Sequence, residues 1–366
     1  MKTEAIPVLK IGKHQPHYPI VQGGMGVMVS GPKLAGAVAA AGGIGTIATV
    51  AVAISSPKFT KKQPIATQNS DAIRECIGQA RKTAGDGVIA VNCMCALTDY
   101  EDQVRTACEA GADIIVSGAG LPLKLPEMTR NYPDVALVPI VSSVKAAHLI
   151  ISRWKKTYDR FPDAFVVETP NKAGGHLGAR DAEQALDPVL SLETVVPELV
   201  SYLREADIDI PVIAAGGIWN SEDMKKMFAL GAKGVQMGTR FAATEEGDAS
   251  ERFKQAYVDA TEDDVVLIQS PCGLPGRALV TPLVERYIKD KVATVSCWAN
   301  CLSHCRLRKE RETFCIADAL IAAYNGDWEN GLFFCGSNVG RVKAVQKVQE
   351  IIEELVEQWQ KVPAFA

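Results

Sequence analysis

Short apolar runs alternate with longer amphipathic segments over the first 240 residues of the chain. The runs are apolar on both faces, which is typical of parallel strands covered by helices on each side. Eight runs predict strands, at Pro19–Gln22, Gly45–Val50, Gly87–Asn92, Asp113–Ser117, Ala136–Val141, Ala164–Glu168, Pro211–Ala215 and Gly234–Met237. Helical periodicity predicts helices between them, at Ser70–Ala84, Asp99–Ala110, Val144–Tyr158, Leu192–Ala206 and Ser221–Leu230.

Eight strands alternating with helices predict an α/β fold, a (β/α)8 TIM barrel. An open doubly wound sheet is the alternative. The count of eight and the ligand-binding signals after many different strands favour the barrel. The stretch Leu34–Lys58 carries no charge before its last residue and is long enough to span a membrane. Its four glycines instead predict a buried helix, a turn and a buried strand.

The alternation stops after residue 240. Residues 244–260 predict an acidic helix, residues 265–279 a strand or loop, and residues 341–361 a final helix. We therefore predict a barrel domain over residues 1–285. A C-terminal, mostly helical, Cys-rich extension follows over residues 286–366.

Composition and charge exclude several classes of protein. Apolar residues make up 47% and charged residues 22%, which excludes a disordered, collagenous or coiled-coil chain. The net charge of −4 offers no basic excess for a phosphate backbone, so we expect no nucleic-acid partner. The N-terminal residues lack the apolar core of a signal peptide. We therefore expect a soluble cytoplasmic protein with no membrane partner.

Loops that follow barrel strands carry the active sites of this fold, so their residues are the candidates. Gln22-Gly23-Gly24-Met25-Gly26 follows the first strand. Its glycines either let a flat ligand approach the backbone or simply form a tight turn. Asn92 ends the third predicted strand, where an amide can pair with the edge of a heterocycle. Glu168 ends the sixth.

A histidine lies in a glycine-rich loop after the sixth strand. The loop reads Ala173-Gly174-Gly175-His176-Leu177-Gly178, and a histidine flanked by glycines is atypical of a core position. Its near-neutral pKa suits proton transfer. The sequence therefore predicts His176 as the catalytic residue.

Glycines also follow the seventh and eighth strands. These segments are Ala214-Ala215-Gly216-Gly217-Ile218 and Gln236-Met237-Gly238-Thr239-Arg240-Phe241. Backbone amides at these two positions form the usual phosphate site of a barrel, so they predict a phosphate-bearing ligand. The missing GxGxxG after the first strand argues against a Rossmann dinucleotide site.

These motifs together resemble the nitronate monooxygenase (2-nitropropane dioxygenase) family of FMN-dependent TIM-barrel oxidoreductases. The family includes flavin enoyl-acyl-carrier-protein reductases and NAD(P)H-dependent quinone reductases, and the resemblance runs over residues 16–285. It implies a bound FMN and His176 as the catalytic residue. The residues that it places at the cofactor are Gln22, Gly23, Gly24, Met25, Asn92, Glu168, Gly174, Gly175, Gly216, Gly217, Met237, Gly238 and Thr239.

The resemblance implies oxidation of a small-molecule substrate, an alkyl nitronate or nitroalkane. His176 would position the nitro group or accept the α-proton. The near alternative is a reductase that takes electrons from NAD(P)H and acts on an enoyl thioester or a quinone. A non-redox barrel binding a phosphorylated metabolite is disfavoured, because the middle strands supply only Glu168 as a strand-end acid or base. A non-catalytic flavin-binding electron carrier is a further alternative.

Four cysteines in the tail form the pattern Cys297-x3-Cys301-x3-Cys305-x9-Cys315. On a helix the first three would share one face. Four thiolates suit an iron–sulfur cluster or zinc, and free or buried thiols are the alternative.

Two further features have open interpretations. Arg277 could anchor an anionic substrate or the cofactor phosphate, or it could be a surface residue of a turn. The apolar pattern of Val345–Trp359 is compatible with an interface in a homo-oligomer.

Overall fold

Eight parallel strands close into a barrel in the computed structural model, which describes residues 5–54, 56–289, 292, 295–297, 299–310 and 313–363. The first and last barrel strands pair with each other, with Ile20 opposite Val235, so no edge is left open. All eight predicted strands are present. They are β1 (Ile20–Gln22), β2 (Ile44–Ala48), β3 (Val88–Met94), β4 (Ile114–Gly118), β5 (Ala136–Val141), β6 (Phe165–Glu168), β8 (Val212–Ala215) and β9 (Gly234–Met237).

Helices surround the barrel at the predicted places. Those up to the end of the last barrel strand are α1 (Pro32–Ala40), α2 (Ile65–Ala84), α3 (Tyr100–Glu109), α4 (Leu125–Met128), α5 (Val144–Tyr158), α6 (Ala182–Ala185), α7 (Leu192–Glu205) and α8 (Ser221–Ala229). Those after it are α9 (Thr239–Ala242), α10 (Glu251–Asp259), α11 (Pro282–Ile288), α12 (Arg306–Glu310), α13 (Ile316–Tyr324) and α14 (Val348–Trp359). Single 3-10 turns lie at Pro188–Leu190, Glu262–Asp264 and Val339–Arg341.

Apolar side chains fill the inside of the barrel. Val21, Val116, Val166 and other inward-facing residues form one buried cluster, which Leu9 joins from the N-terminal segment. A larger cluster lies between the outer face of the strands and the helices. Full burial of one such side chain stabilises the fold by about 1.5–3 kcal/mol. The strands are therefore apolar on both faces, as their sequences predict.

The uncharged stretch near residue 34 forms a buried helix followed by a buried strand. Helix α1 lies directly on β2, and a Cβ added at Gly45 would come within 1.8 Å of the Ala35 carbonyl oxygen. Only glycine allows the two backbones to approach so closely. Within the described part of the chain, no helix combines the length and the apolar character needed to cross a bilayer.

The last helix completes the ring of helices around the barrel. Helix α14 packs between α1 and α8, and Ile351, Leu355 and Trp359 belong to the main core. Residues 239–347 are therefore an insertion between the last barrel strand and the helix that covers it. The predicted domain boundary at residue 285 needs correction, because it separates the barrel from its own eighth helix. The apolar face of the tail helix is buried within the chain, which removes the reason for reading it as an interface.

A second, three-stranded antiparallel sheet stands on the barrel. The hairpin of β10 (Val265–Gln269) and β11 (Pro275–Leu279) pairs with the two-residue strand β7 (Gly175–His176). Gly276 lies opposite His176, and Arg277 lies opposite Gly175. Residues 265–279, for which the sequence predicts a strand or a loop, thus form the hairpin that supports the histidine loop.

Candidate active site

A cavity of about 270 Å³ lies between the C-terminal ends of the barrel strands and the insertion. Its floor is formed by the glycine-rich loops that follow the first, seventh and eighth barrel strands. Its roof is apolar and comes mainly from the insertion. The roof residues are Leu97, Leu302, Ile316, Leu320, Leu332 and Phe334.

The cavity brings together His176 and all but one of the residues predicted at the cofactor. The predicted residues in its wall are Gly23, Gly24, Met25, Asn92, Glu168, Gly174, Gly175, Gly216, Gly217, Met237, Gly238 and Thr239. Gln22 is the exception, because it is fully buried away from the cavity. Its amide accepts a hydrogen bond from the Thr46 N–H over 2.9 Å and donates one to the Gly23 carbonyl. Gln22 therefore holds the glycine turn in place from outside the cavity wall.

One end of the cavity has the free donors that a phosphate needs. The hydrogen bonds of the described residues leave the amide groups of Gly216, Gly217 and Gly238 unused, although all three line the wall. The Thr239 hydroxyl accepts a bond from the Gly336 N–H over 2.8 Å, so its own proton remains available. Such amides and hydroxyls bind phosphate groups well.

A cation that was not predicted from the sequence, Lys172, lies at this end of the cavity. Its side chain lies over Gly217, where an added Cβ would come within 2.5 Å of the Lys172 Cδ. Its carbonyl accepts a bond from the Ser337 N–H over 3.1 Å, which fixes its backbone to the insertion. The described residues provide no ion pair for its ammonium group. In the sequence, Lys172 is simply a lysine four residues before His176. That spacing does not predict a phosphate contact, because only the fold brings the lysine over Gly217.

The part of the cavity wall beside Gly24 offers a side-chain amide, that of Asn92. A Cβ added at Gly24 would lie 2.5 Å from the Asn92 Cβ, so only glycine fits beside this side chain. The side-chain amide of Asn92 makes no hydrogen bond with the described residues. A planar heterocycle with donors and acceptors along its edge suits these groups.

His176 is enclosed and uncharged. Its Nε2 lies 2.9 Å from the Ser270 Oγ and 3.0 Å from the Cys272 Sγ, and its ring meets Phe334 edge-on with centroids 5.0 Å apart. Burial lowers the pKa of His176 from 6.5 to about 4. The imidazole is therefore neutral at physiological pH.

Glu168 is a second titratable group in the cavity wall. Part of its side chain faces the cavity, and protein surrounds the cavity. Because the carboxyl is thereby removed from bulk water, burial raises its pKa from 4.5 to about 7. No described residue forms a hydrogen bond or an ion pair with its side chain. Near neutral pH it can therefore hold or release a proton.

Arg277 has a structural role that differs from the anion anchor suggested by the sequence. The residue is 4% exposed, and its guanidinium donates to the carbonyl oxygens of Pro170 (3.2 Å), Asn171 (2.9 Å) and Ala173. These carbonyls belong to the loop that leads into Gly174 and His176. Arg277 thus fixes that loop from the hairpin and is absent from the cavity wall.

The four tail cysteines come near one another without forming a helix. Cys297, Cys301 and Cys305 lie outside helices and pack around Leu307 together with Cys315, so the expected helical face is wrong. Burial raises the pKa of Cys301 to about 11 and that of Cys315 to about 12. Within the described ranges, no set of three or more His, Cys, Asp or Glu side chains has the geometry to hold a metal ion. The iron–sulfur or zinc site stays a prediction.

The fold and the cavity define a class: a TIM-barrel enzyme whose strand-end cavity is lined by unused backbone amides and a half-buried, neutral histidine. The chain belongs to the nitronate monooxygenase family, whose model matches residues 8–358. It is accordingly an oxidoreductase of the flavin-dependent kind.

Individual relatives agree with this class. The chain is 26% identical over 290 residues to a probable nitronate monooxygenase of Staphylococcus saprophyticus, covering 74% of this chain and 77% of that protein. It is 29% identical over 270 residues to a 5-hydroxy-7a-methyl-1-oxo-octahydro-1H-indene-4-carboxyl-CoA dehydrogenase of Mycobacterium tuberculosis, covering 74% and 65%. The structure of FabK from Thermotoga maritima superposes with a TM-score of 0.71 and 26% identity over 94% of each chain.

Proposed function

We propose that this protein is an FMN-dependent enzyme that oxidises alkyl nitronates, with His176 at the substrate. The observation that carries the proposal is the shared cavity. The unused amides of Gly216, Gly217 and Gly238 and the neutral ring of His176 open onto the same space. A cofactor with a phosphate arm can thus be held with its reactive end near the histidine.

The residues present fit FMN. Gly216, Gly217, Gly238 and Thr239 would hold the phosphate, with Lys172 as the balancing charge. The glycines of the first loop and the Asn92 amide would face the isoalloxazine ring. FMN supplies the electron-transfer chemistry when it is bound, and the protein supplies orientation and electrostatics.

The protein residues would orient the substrate and exclude water. A neutral imidazole can donate a hydrogen bond to a nitronate oxygen. Because it carries no charge, it forms no ion pair that would also retain the product. The apolar roof removes competing water molecules from around the substrate, which strengthens that hydrogen bond. The substrate therefore binds between the histidine and the floor of the cavity.

The visible absorption spectrum of the protein purified without air is the first test. Two flavin bands are expected, and acid-released cofactor should be FMN by chromatography. A colourless protein that does not take up added FMN would remove the cofactor and the function together. A broad brown absorbance beneath the flavin bands, with bound iron and sulfide, would support a cluster on the tail cysteines. Flavin bands alone would leave those cysteines as thiols or zinc ligands.

Turnover of a preformed alkyl nitronate tests the role of His176. His176→Ala should keep FMN bound and lower turnover by roughly 100-fold, because a donor or acceptor at the reacting group is lost. His148→Ala is the matched control, since His148 lies on the outer helix α5 beside Tyr202. Unchanged turnover in His176→Ala would remove His176 from the mechanism.

A second candidate is an NAD(P)H-dependent reductase acting on an enoyl thioester or quinone. The apolar roof favours it, because Leu302, Ile316 and Leu320 line the cavity and can contact apolar substrate groups. Anaerobic addition of NADH or NADPH distinguishes the two. Rapid bleaching of the flavin bands, reversed by an enoyl thioester or a quinone, would favour the reductase. Turnover of nitronate without NAD(P)H would favour the first proposal.

A further inference from the structure

The turn of the β10–β11 hairpin places a hydroxyl and a thiol within hydrogen-bond distance of one ring nitrogen of His176. The Ser270 Oγ and the Cys272 Sγ lie 2.9 Å and 3.0 Å from the Nε2. They lie 3.2 Å from each other, so the three groups form a closed triangle. The Nδ1 has no partner among the described residues, and the His176 ring lines the cavity.

The triangle is held in a rigid turn. Ser270 is fully buried, and its backbone N–H donates to the Leu274 carbonyl over 2.9 Å. The Gly273 N–H closes the turn on the Ser270 carbonyl over 2.9 Å. The Ser270 hydroxyl therefore has no access to bulk water and must find its partners inside the triangle.

Counting protons decides their arrangement. The Ser270 Oγ already accepts a weak bond from the Cys272 N–H over 3.4 Å, so its own proton needs an acceptor. Burial raises the pKa of Cys272, so its thiol also keeps a proton. Thiol sulfur is a weak acceptor, whereas an unprotonated ring nitrogen is a strong one. Every proton finds an acceptor only if the Nε2 is unprotonated, and the neutral ring then carries its proton on the Nδ1.

We propose that Ser270 and Cys272 are positioning residues that hold His176 in its neutral Nδ1–H form. His176 then offers the cavity a hydrogen-bond donor and has no lone pair there to remove a proton. This inference rests on the proposed function and narrows its substrate class. The substrate must arrive as a preformed nitronate, or as a carbonyl compound that needs only polarisation, and a neutral nitroalkane that still needs deprotonation is a poor substrate.

Nitrogen-15 NMR of the holoenzyme labelled at histidine tests the inference without measuring activity. Two-bond proton–nitrogen correlations distinguish the two neutral tautomers, and His176 is assigned by its absence in His176→Asn. The wild type should show the Nδ1–H form. The double variant Ser270→Ala/Cys272→Ala should show the Nε2–H form or a mixture. Cys95→Ser is the control, because this half-buried thiol contacts Ser117 and is absent from the cavity wall.

An activity test complements the spectrum. The amide nitrogen of Asn can occupy the place of the Nδ1–H, so His176→Asn should turn over nitronate at least about tenfold faster than His176→Ala. The wild type should also prefer a preformed nitronate to its neutral nitroalkane. An Nε2–H signal in the wild type, or an unchanged tautomer in the double variant, would overturn the inference. Absence of nitronate turnover in the wild type alongside the Nδ1–H signal would overturn the proposed function but leave the assignment of the tautomer.

Discussion

Burial shifts the pKa values of His176 and Glu168, which both line the cavity, in opposite directions. Burial lowers the pKa of His176 to about 4 and raises that of Glu168 to about 7. Neither has a charged partner among the described residues. His176 is therefore neutral at physiological pH and can meet a substrate through a hydrogen bond without an ion pair.

The pKa of Glu168 predicts a stability effect. Between pH 4.5 and pH 7 the unfolded chain releases the carboxyl proton while the folded protein retains it, so the free energy of unfolding falls as pH rises. For the cofactor-free protein this loss should be about 2 kcal/mol after allowance for partial exposure. Glu168→Gln should abolish it.

Urea unfolding of the wild type and of Glu168→Gln at pH 4.5 and pH 8 measures how the free energy of unfolding of each protein depends on pH. His176 acts with the opposite sign. Between pH 6.5 and pH 4 its imidazole takes up a proton in the unfolded chain but not in the folded protein, so the free energy of unfolding falls as pH falls. The free energy of unfolding of Glu168→Gln is therefore compared with that of the wild type at the same pH, because His176 contributes equally to both and cancels in the difference. Equal pH dependence in both would show that Glu168 has an ordinary pKa.

Lys172 is the second prediction at the scale of a residue. Lys172→Met should weaken FMN binding roughly tenfold, because it removes a cation from the phosphate end of the cavity. Lys172→Arg should restore most of the affinity. Fluorescence quenching of FMN during titration gives the affinity, with Lys156→Met on the outer surface of α5 as the control. Equal affinity of Lys172→Met and wild type would show that the backbone amides suffice.

At the scale of elements, the hairpin of β10 and β11 holds the histidine loop. It pairs with Gly175 and His176, and the Leu177 N–H donates to the Pro275 carbonyl over 2.9 Å. In the turn of this hairpin, the Pro271 carbonyl accepts a hydrogen bond from the Arg306 N–H over 3.0 Å. This bond joins the hairpin to the cysteine-bearing segment. The site is thus built from a barrel loop and an insertion that lies about 100 residues later in the chain.

Arg277→Met should loosen this connection. Three carbonyls of this loop would lose a charged donor, which should lower the free energy of unfolding by about 3 kcal/mol and speed amide exchange over residues 170–178. Hydrogen exchange followed by mass spectrometry locates the change. Lost FMN affinity with unchanged exchange would instead support the role of an anion anchor.

At the scale of the molecule, the chain leaves the barrel after β9 and returns with α14 to complete it. The Ser221 hydroxyl on α8 donates to the Leu355 carbonyl over 2.5 Å, and the Arg240 guanidinium forms an ion pair with Glu354 over 2.7 Å. These contacts tie α14 to α8 and to the first residues of the insertion, so the chain enters and leaves the insertion beside the same part of the barrel.

Leu355→Ala tests this closure. Leu355 is fully buried between α14 and the barrel, so its truncation should lower the free energy of unfolding by about 3 kcal/mol. Glu357→Ala on the exposed face of the same helix should change it little. A single cooperative urea transition in both variants would confirm that the last helix belongs to the barrel. An unaffected barrel transition would mean that the helix is a separate appendage.

The sequence by itself determined the barrel and most of its mouth. Strands buried on both faces and the glycines after them are local patterns, and the carboxyl ends of parallel strands must meet at one edge. The loops carrying Gly24, Asn92, His176 and Gly217 therefore had to converge.

Only the tertiary structure decided what surrounds that edge. The closing role of α14, the pairing of residues 175–176 with the hairpin, and the places of Lys172, Ser270 and Arg277 depend on contacts between distant parts of the chain. No periodicity or spacing encodes such a contact, because it arises only when the buried surfaces of the whole chain pack together. The same reason explains Gln22, which the family resemblance places at the cofactor and whose buried side-chain amide bonds to Thr46 on the neighbouring strand.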